Sequence, residues 1–221
     1  MLPGSVAARK GMVHMGVRAA VLRWFARYEG PGARALWALG TRMHRPVYPH
    51  VAAALELQPD DRLLDVACGQ GVFLAEQGAD VALVAGLDIS ASQVASARKH
   101  LAARLAAGTA EIAHGDAAAL PWPDEHFTKV ACMGSLEFMP DPVAALAEMH
   151  RVLKPAGRAA VTMGVKGEEQ AEPGERDAWG LPIWGEEPAR QMMREAGFSD
   201  ATITYVDWRG SLARLAIGTK D

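Results

Sequence analysis

The stretch Leu63-Leu64-Asp65-Val66-Ala67-Cys68-Gly69-Gln70-Gly71 decides the fold of this chain of 221 residues. The carboxylate of Asp65 follows an apolar run, small residues come after it, and residues 72–78 favour a short helix. This order predicts a buried strand, a tight turn and a helix whose N-terminal N–H groups face a ligand. The stretch therefore indicates a nucleotide-type binding site at the carboxyl end of a strand.

Strands and helices alternate outward from this stretch. The predicted strands cover Arg62–Ala67, Val81–Leu87, Ala110–His114, Lys129–Met133, Gly157–Met163, Ala201–Asp207 and Leu212–Gly218. The predicted helices cover Ser90–Leu105 with Ser90 as N-cap, Pro142–Leu153, and Glu186–Ala196 with Gly197 as its stop signal. Such alternation predicts an α/β domain with a mostly parallel sheet covered by helices on both faces. The connection over residues 208–211 is too short for a parallel crossover, so the last two strands are predicted to be antiparallel.

The chain before residue 51 has a different character. Helices are predicted over 13–28, 33–43 and Tyr48–Leu57, and Gly30-Pro31-Gly32 ends the first of them. Residues 1–50 carry a net charge of +7, whereas the remaining 171 residues carry −10. We expect residues 1–50 to form a helical lid and residues 51–221 the core domain. The positive charge is interpreted first as a solvated helical face packed on an acidic body, and second as a surface for an anionic substrate, a carrier or a membrane face.

Composition excludes several classes of protein. Half of the residues are hydrophobic and the net charge is −3, which indicates a globular protein without a basic core for nucleic acid. Cys68 and Cys132 are too few for a disulfide framework and lack the spacing of a metal site, so no metal and a cytoplasmic location are expected. No stretch approaches the ~18 apolar residues of a membrane-spanning helix.

Three carboxylates follow three successive predicted strands. Asp65 precedes the small-residue turn, Asp88 ends the second strand, and Asp116 stands between Gly115 and Ala117 after the third. The carboxyl ends of parallel strands meet at one sheet edge, so the three acids are expected to lie together. Asp65 would repel a pyrophosphate but suits a ligand with an ammonium and a sulfonium group, and S-adenosylmethionine has both. Asp88 suits ribose hydroxyls, and Asp116 suits the amino group of adenine.

These acids lie in segments that resemble the class I S-adenosylmethionine-dependent methyltransferases, particularly the small-molecule, ubiquinone/menaquinone-biosynthesis-like branch (methyltransferase type 11). Leu63–Gly71 resembles V-L-D-x-G-x-G-x-G, Leu120–Phe127 is similar to L-P-F-x-D-x-x-F-D, and Arg151–Gly157 resembles R-V-L-K-P-G-G. The resemblance implies a Rossmann-like, seven-stranded sheet of order 3-2-1-4-5-7-6. It also implies S-adenosylmethionine as methyl donor and S-adenosylhomocysteine as product. The implied cofactor contacts are Asp65, Ala67, Gly69, Gly71, Asp88, Ile89, Asp116, Ala117, Met133 and Gly134.

The chain departs from the family pattern at four places. Ala67 replaces the usual first glycine, Ala156 replaces a turn glycine, and Thr128 replaces a frequent aspartate. Glu137-Phe138 lacks the histidine that commonly follows the fourth strand. No cofactor-binding carboxylate is lost, but the last departure concerns the chemistry.

The acceptor side is less defined by the sequence. Displacement of an activated methyl group needs mainly alignment of the reactants, so no fixed catalytic triad is expected. The candidates for a general base are Glu137, which follows the fourth strand, and His50 in the N-terminal segment. The candidates for lining the substrate pocket are Tyr28, His44, Tyr48, Ser135, Leu136, Trp179 and Trp184.

Two other functions compete with methyl transfer to oxygen, nitrogen or carbon of a small organic molecule. A nicotinamide-dependent oxidoreductase would use the same sheet, but Asp65 before the glycines and Leu74 at the third-glycine position disfavour it. A non-catalytic S-adenosylmethionine-binding or partner subunit would keep all three acids. The sequence leaves open the identity of the acceptor, the use of a general base and the choice between monomer and homodimer.

Overall fold

The computed structural model describes residues 41–42, 44–165, 174–176, 181–208 and 211–221. The helices predicted over 13–28 and most of 33–43 lie outside these residues, and so do the pocket candidates Tyr28 and Trp179. None of the helices in the described ranges has the length and apolar composition that a membrane crossing requires.

The sheet has the predicted strand order. Its strands are β1 (Arg62–Val66), β2 (Leu83–Asp88), β3 (Ala110–His114), β4 (Phe127–Cys132), β5 (Leu153–Val165), β6 (Thr202–Trp208) and β7 (Ser211–Thr219). They are arranged β3-β2-β1-β4-β5-β7-β6. Strands β1 to β5 pair in parallel, and β7 pairs antiparallel with both β5 and β6. The mostly parallel sheet and its antiparallel final hairpin are thereby confirmed.

Helices cover both faces of this sheet. They are α1 (Tyr48–Leu55), α2 (Val72–Glu76), α3 (Ala91–His100), α4 (Ala102–Ala106), α5 (Pro142–Val152) and α6 (Glu186–Glu195), with 3-10 turns at Arg45–Val47 and Leu136–Phe138. Side chains alternate along β1, so Leu64 and Val66 enter one hydrophobic cluster with α5 and α6. Leu63 enters a second cluster with α1, α2 and α3. The carboxyl ends of β1 to β5 therefore form one open edge between two packed layers.

The helix predicted over Ser90–Leu105 is two helices. Ser90 does cap the first, since its Oγ accepts a hydrogen bond from the Gln93 N–H at 3.4 Å. Leu101 then leaves the helical region, with φ −103° and ψ 17°, and is buried. The break brings the guanidinium of Arg104 in α4 to carbonyl oxygens of residues 78–82, with contacts from 2.5 Å. Local propensity favours one continuous helix, but the hydrogen bonds of Arg104 to this distant segment accompany a break at Leu101.

Strand β5 begins earlier than predicted. Leu153, expected to end a helix, already pairs with Phe127 of β4. The register then shifts over a bulge, and pairing resumes between Arg158 and Lys129. Within the bulge Ala156 has a φ of 60°, in the left-handed region, and its N–H donates to the Lys220 carbonyl at 2.8 Å. This is the position at which the family pattern has a glycine.

Ala156→Gly is expected to stabilise the protein by about 0.5–1 kcal/mol. An L side chain in the left-handed region is strained by about 1–2 kcal/mol, and part of that gain is lost to the greater freedom of glycine in the unfolded chain. The melting temperature should rise by about 2 °C. Gly108→Ala is the reciprocal control, because Gly108 has a φ of 70° with nothing within 4 Å of an added Cβ. An Ala156→Gly protein that melts at a lower temperature contradicts the strain.

Candidate active site

Asp65 is a buried carboxylate near the carboxyl end of β1. It is 2% exposed, and its Oδ1 has no hydrogen-bond partner among the described residues. Burial, and then the negative charge of Asp88, raise its pKa well above the usual range. A buried carboxylate oxygen without a donor is unfavourable, and nearly all such groups in proteins find a partner. The site therefore fits a ligand that brings a cation or a hydrogen-bond donor to Asp65.

The turn after β1 approaches the neighbouring elements closely. Ala67, Gly69 and Gly71 all have positive φ, at 62°, 52° and 72°. At Gly71 an added Cβ would lie 3.1 Å from the Cβ of Ala97 on α3, so the close approach of α3 favours a glycine there. Ala67 adopts the left-handed conformation despite its methyl group. The turn that carries three of the implied cofactor contacts is therefore built from small residues in the left-handed region.

Asp88, at the end of β2, joins this turn to the start of α3. One carboxylate oxygen accepts from the Gly69 N–H at 2.8 Å, and the other accepts from the Ser90 N–H at 2.9 Å. These bonds fix the carboxylate at the sheet edge, and an acceptor group held there suits the hydroxyls of a ribose. The side chain of Ile89, next in the chain, is 38% exposed and forms an apolar surface beside it. An exposed isoleucine next to a fixed carboxylate suits a flat ring attached to a sugar.

Asp116 lies at the same edge. The N–H of the preceding Gly115 donates to the Asp88 carbonyl at 3.1 Å, which brings the turn after β3 to the end of β2. The Asp116 side chain is exposed, and its Oδ1 accepts from the Ala118 N–H at 3.0 Å. Ala117 is buried. The carboxyl ends of β1, β2 and β3 thus present the three acids along one edge, as the sequence predicts.

The loop after β4 is tied to β5. Gly134, with φ 59°, donates its N–H to Thr162 Oγ1 at 2.7 Å. The carboxylate of Glu137 accepts from the Gly164 N–H at 3.2 Å, which fixes this candidate base against the backbone of β5. Ser135 is half-buried and donates to the Met133 carbonyl at 3.1 Å. Leu136 is fully buried in the core, and its place in the substrate pocket stays a prediction.

Residues 44–48, which we call the strap, contact this loop at one end and α2 at the other. The His44 ring packs against Gly134, where an added Cβ would lie 2.8 Å from Nδ1. Arg45 forms an exposed ion pair with Glu76, with Nη2 at 2.7 Å from Oε1. Tyr48 is buried edge-on to Phe73, with ring centroids 5.4 Å apart. The strap thus spans the open edge between β4 and the first turn of the site.

Burial and charge affect two side chains of the strap. Burial lowers the pKa of His44 below its usual value. Burial, followed by the negative charges of Asp65 and Glu76, raises the pKa of the Tyr48 hydroxyl. His50, the other candidate base, is exposed on α1. The histidine brought to the loop after β4 is therefore His44, and a catalytic role for His50 stays a prediction.

Arg214 on β7 is a functional candidate that sequence reasoning missed. It is fully buried, and its Nη1 donates to the carbonyl oxygens of Met163, at 3.3 Å, and of Trp184. The guanidinium lies 5.9 Å from the ring centroid of Tyr205, whose hydroxyl donates to Glu186 Oε1 at 2.6 Å. Trp184, a predicted pocket residue, is half-buried beside this cluster. The available signal was a single charge within the apolar run of residues 212–217.

Known proteins share this sequence pattern and this fold. Residues 64–161 match the family described as Methyltransferase domain. A demethylmenaquinone methyltransferase of Staphylococcus epidermidis is 34% identical over 117 residues, which cover 52% of this chain and 47% of that protein. The ubiquinone/menaquinone biosynthesis C-methyltransferase UbiE of Xanthomonas campestris pv. campestris is 38% identical over 130 residues, covering 57% and 50%. The chain thus spans about half the length of these curated relatives.

A solved structure confirms the architecture. The [4+2]-cyclase SpnF superposes with a TM-score of 0.66 at 25% identity, covering 79% of this chain and 80% of that one. Strand order, the acids along one sheet edge and the family match agree with one another. Residues 64–161 therefore carry a methyltransferase domain, and the chain is similar in sequence and fold to the class I S-adenosylmethionine-dependent methyltransferases, including the menaquinone- and ubiquinone-biosynthesis enzymes.

Proposed function

We propose that this chain transfers a methyl group from S-adenosylmethionine to a small organic acceptor in the cytoplasm. The observation that carries the proposal is the buried Asp65 carboxylate, whose Oδ1 lacks a donor among the described residues, beside the fixed carboxylate of Asp88. Two acids in one cleft repel a pyrophosphate and attract a cation. This charge pattern favours a ligand with an ammonium group over a dinucleotide.

Each acid has a separate task in holding the donor. Asp65 accepts from the ammonium group, Asp88 accepts from the ribose hydroxyls, and Asp116 accepts from the adenine amino group. Ile89 packs on the adenine ring. When bound, S-adenosylmethionine supplies a methyl group that its sulfonium already activates. The chain contributes alignment of the reactants and exclusion of water, which together supply up to roughly 7–11 kcal/mol in well-oriented reactions.

Residues 1–50 are proposed to act as a lid over the acceptor. The strap at the end of this segment already contacts both the loop after β4 and α2. The net charge of +7 over residues 1–50 favours an acceptor with a negative charge. The names of the relatives add demethylmenaquinone as a first candidate, independently of the charge argument.

The proposal is tested by incubating the chain with S-adenosyl-L-[methyl-¹³C]methionine and a panel of acceptors. The panel contains reduced demethylmenaquinone, its soluble analogue 1,4-dihydroxynaphthalene, phenols, carboxylates and amines. We expect ¹³C-methyl transfer to at least one acceptor, detected by mass spectrometry. Because a solved relative of this fold is named a cyclase, unlabelled rearranged products are sought in the same samples. Tight cofactor binding without label transfer to any acceptor contradicts the proposed function.

Asp88→Ala is expected to weaken the binding of S-adenosylhomocysteine at least tenfold, about 1.4 kcal/mol. The substitution removes the proposed ribose acceptor and also leaves the Gly69 and Ser90 N–H groups without this carboxylate. Calorimetric titration measures the change. Asp80→Ala, an exposed acid outside the site, serves as the matched control. If affinity is the same in the wild type and Asp88→Ala, the ribose is not bound at Asp88.

A further inference from the structure

The imidazole of His44 occupies a place that only a glycine on the facing loop allows. A Cβ on Gly134 would lie 2.8 Å from His44 Nδ1 and 3.0 Å from Nε2, so the ring stacks directly on the Gly134 backbone. Gly134 is itself held, because its N–H donates to Thr162 Oγ1 at 2.7 Å. The contact therefore joins a fixed turn after β4 to a side chain from the strap, 90 residues earlier in the chain.

This contact lies at the reacting edge of the sheet. Cys132, which ends β4, pairs in register with Val66, the residue after Asp65. Gly134 follows Cys132 by two residues, so it stands beyond the carboxyl end of β4, next to the turn that follows Asp65. Residues 133–141, which follow β4 in the chain, contain no histidine of their own. The imidazole at this edge is that of His44, which belongs to the strap.

Between His44 and Glu137, the two titratable side chains at this loop, the chemistry favours His44 as a base. Burial lowers the pKa of His44, so its ring is mainly in the neutral form at pH 7, which is the form that can take up a proton. The carboxylate of Glu137 accepts a hydrogen bond from the Gly164 N–H, and this bond holds the loop to β5. Histidine is also the side chain that most often acts as a general base near neutral pH.

We propose that His44 is the catalytic base of this chain and takes the proton that the acceptor loses on methylation. This inference rests on the proposed function. The acceptor's electron pair forms the bond to the methyl carbon, the sulfur–methyl bond breaks with its pair on sulfur, and the acceptor's proton moves to an imidazole nitrogen of His44. The sulfur is left neutral and His44 is left as imidazolium. The positive charge of the sulfonium is therefore balanced by the positive charge of the imidazolium.

The variants His44→Gln and His44→Ala test the base. With reduced demethylmenaquinone or 1,4-dihydroxynaphthalene as acceptor, we expect kcat to fall by about 10²–10⁴-fold in both variants. The affinity for S-adenosylhomocysteine should stay within about threefold of wild type, because the donor is held by the acids at the ends of β1 to β3. Added imidazole should restore His44→Ala by about tenfold or more, since a small base can enter the space left by the ring.

His150→Gln is the matched control. His150 is also a half-buried histidine, burial also lowers its pKa, and it also packs on a glycine of positive φ, Gly197. It lies on α5, on the other face of the sheet from α1. We expect this variant to keep the wild-type kcat with the same acceptor and to show no response to imidazole.

The outcomes separate the inference from the function on which it rests. If the wild type methylates no acceptor of the panel, the proposed function fails and the inference fails with it. Transfer that is unchanged in His44→Gln contradicts the inference alone. A parallel loss of kcat and of S-adenosylhomocysteine affinity in both variants, without rescue by imidazole, also contradicts it, because that pattern identifies His44 as a packing residue.

Discussion

Asp65→Asn is expected to weaken the binding of S-adenosylhomocysteine by about a hundredfold, about 2.8 kcal/mol. The amide has nearly the shape of the carboxylate, so the turn after β1 keeps its form, but the negative charge that meets the ammonium group is gone. Calorimetry of wild type, Asp65→Asn and the exposed-acid control Asp80→Asn measures the difference. Equal affinity in all three proteins excludes Asp65 as the ammonium site.

The same substitution should stabilise the ligand-free protein. The pKa of Asp65 is raised in the folded state, so the fold binds a proton at this group more tightly than the unfolded chain does. Ionised Asp65 therefore lowers stability most above its folded-state pKa, and this loss shrinks as the pH falls below that value and is gone below the pKa of the unfolded chain. Thermal melting from pH 8 downward should show the gain of Asp65→Asn over wild type shrinking. If Asp65→Asn melts at a lower temperature than the wild type, the claim that ionised Asp65 destabilises the ligand-free protein is wrong.

Acidification should lower the affinity for the cofactor, whereas it raises the stability of the ligand-free protein. A cationic ligand needs Asp65 ionised, so binding must displace the proton that the raised pKa retains. The wild-type affinity is expected to fall as the pH falls through the pKa of Asp65 in the free protein. Asp65→Asn should show no such fall, and calorimetry in buffers of different ionisation enthalpy counts the released proton.

Arg214→Ala is expected to lower the free energy of unfolding by about 3–5 kcal/mol. The substitution leaves a cavity in a fully buried position and removes the donor to the Met163 and Trp184 carbonyls. It also removes the cation beside the Tyr205 ring. Since a domain of this kind is stable by only about 5–15 kcal/mol, the variant should unfold at a much lower urea concentration.

Two further variants identify the cause of that loss. Arg214→Lys keeps the charge but lacks the planar, multi-donor head, so we expect a loss between those of wild type and Arg214→Ala. Arg194→Ala removes an arginine from an exposed ion pair with Glu187 on the surface of α6, and such pairs contribute little to stability. If Arg214→Ala unfolds at the same urea concentration as Arg194→Ala, the buried guanidinium does not stabilise this end of the sheet.

Local signals in the sequence predicted the core of the fold. The carboxylate of Asp65 after an apolar run, the N-cap Ser90 and the stop signal Gly197 each act within a few residues of the structure they determine. The short link over residues 208–211 determined the antiparallel hairpin in the same way. The errors lie where tertiary contacts override local preference. Leu101 breaks a helix because burying it brings Arg104 to distant carbonyls, and no glycine or proline marks that break.

The donor side of the site was more predictable than the acceptor side. Asp65, Asp88 and Asp116 follow strand ends, and a parallel sheet brings strand ends together whatever the loops contain. The contact of His44 with Gly134, by contrast, joins the strap to a loop on another element. Arg214 likewise meets carbonyls at residues 163 and 184, far along the chain. Such contacts depend on packing between elements, which periodicity and spacing do not encode.

Calorimetric titration of the wild-type chain with S-adenosylhomocysteine and, separately, with NADH is the most direct measurement of the central claim. A buried acid before the turn at β1 and a second acid at the end of β2 favour the ammonium-bearing ligand and repel the pyrophosphate. We therefore expect saturable binding of one S-adenosylhomocysteine per chain and no heat from NADH. Saturable binding of NADH together with no response to S-adenosylhomocysteine would contradict the account.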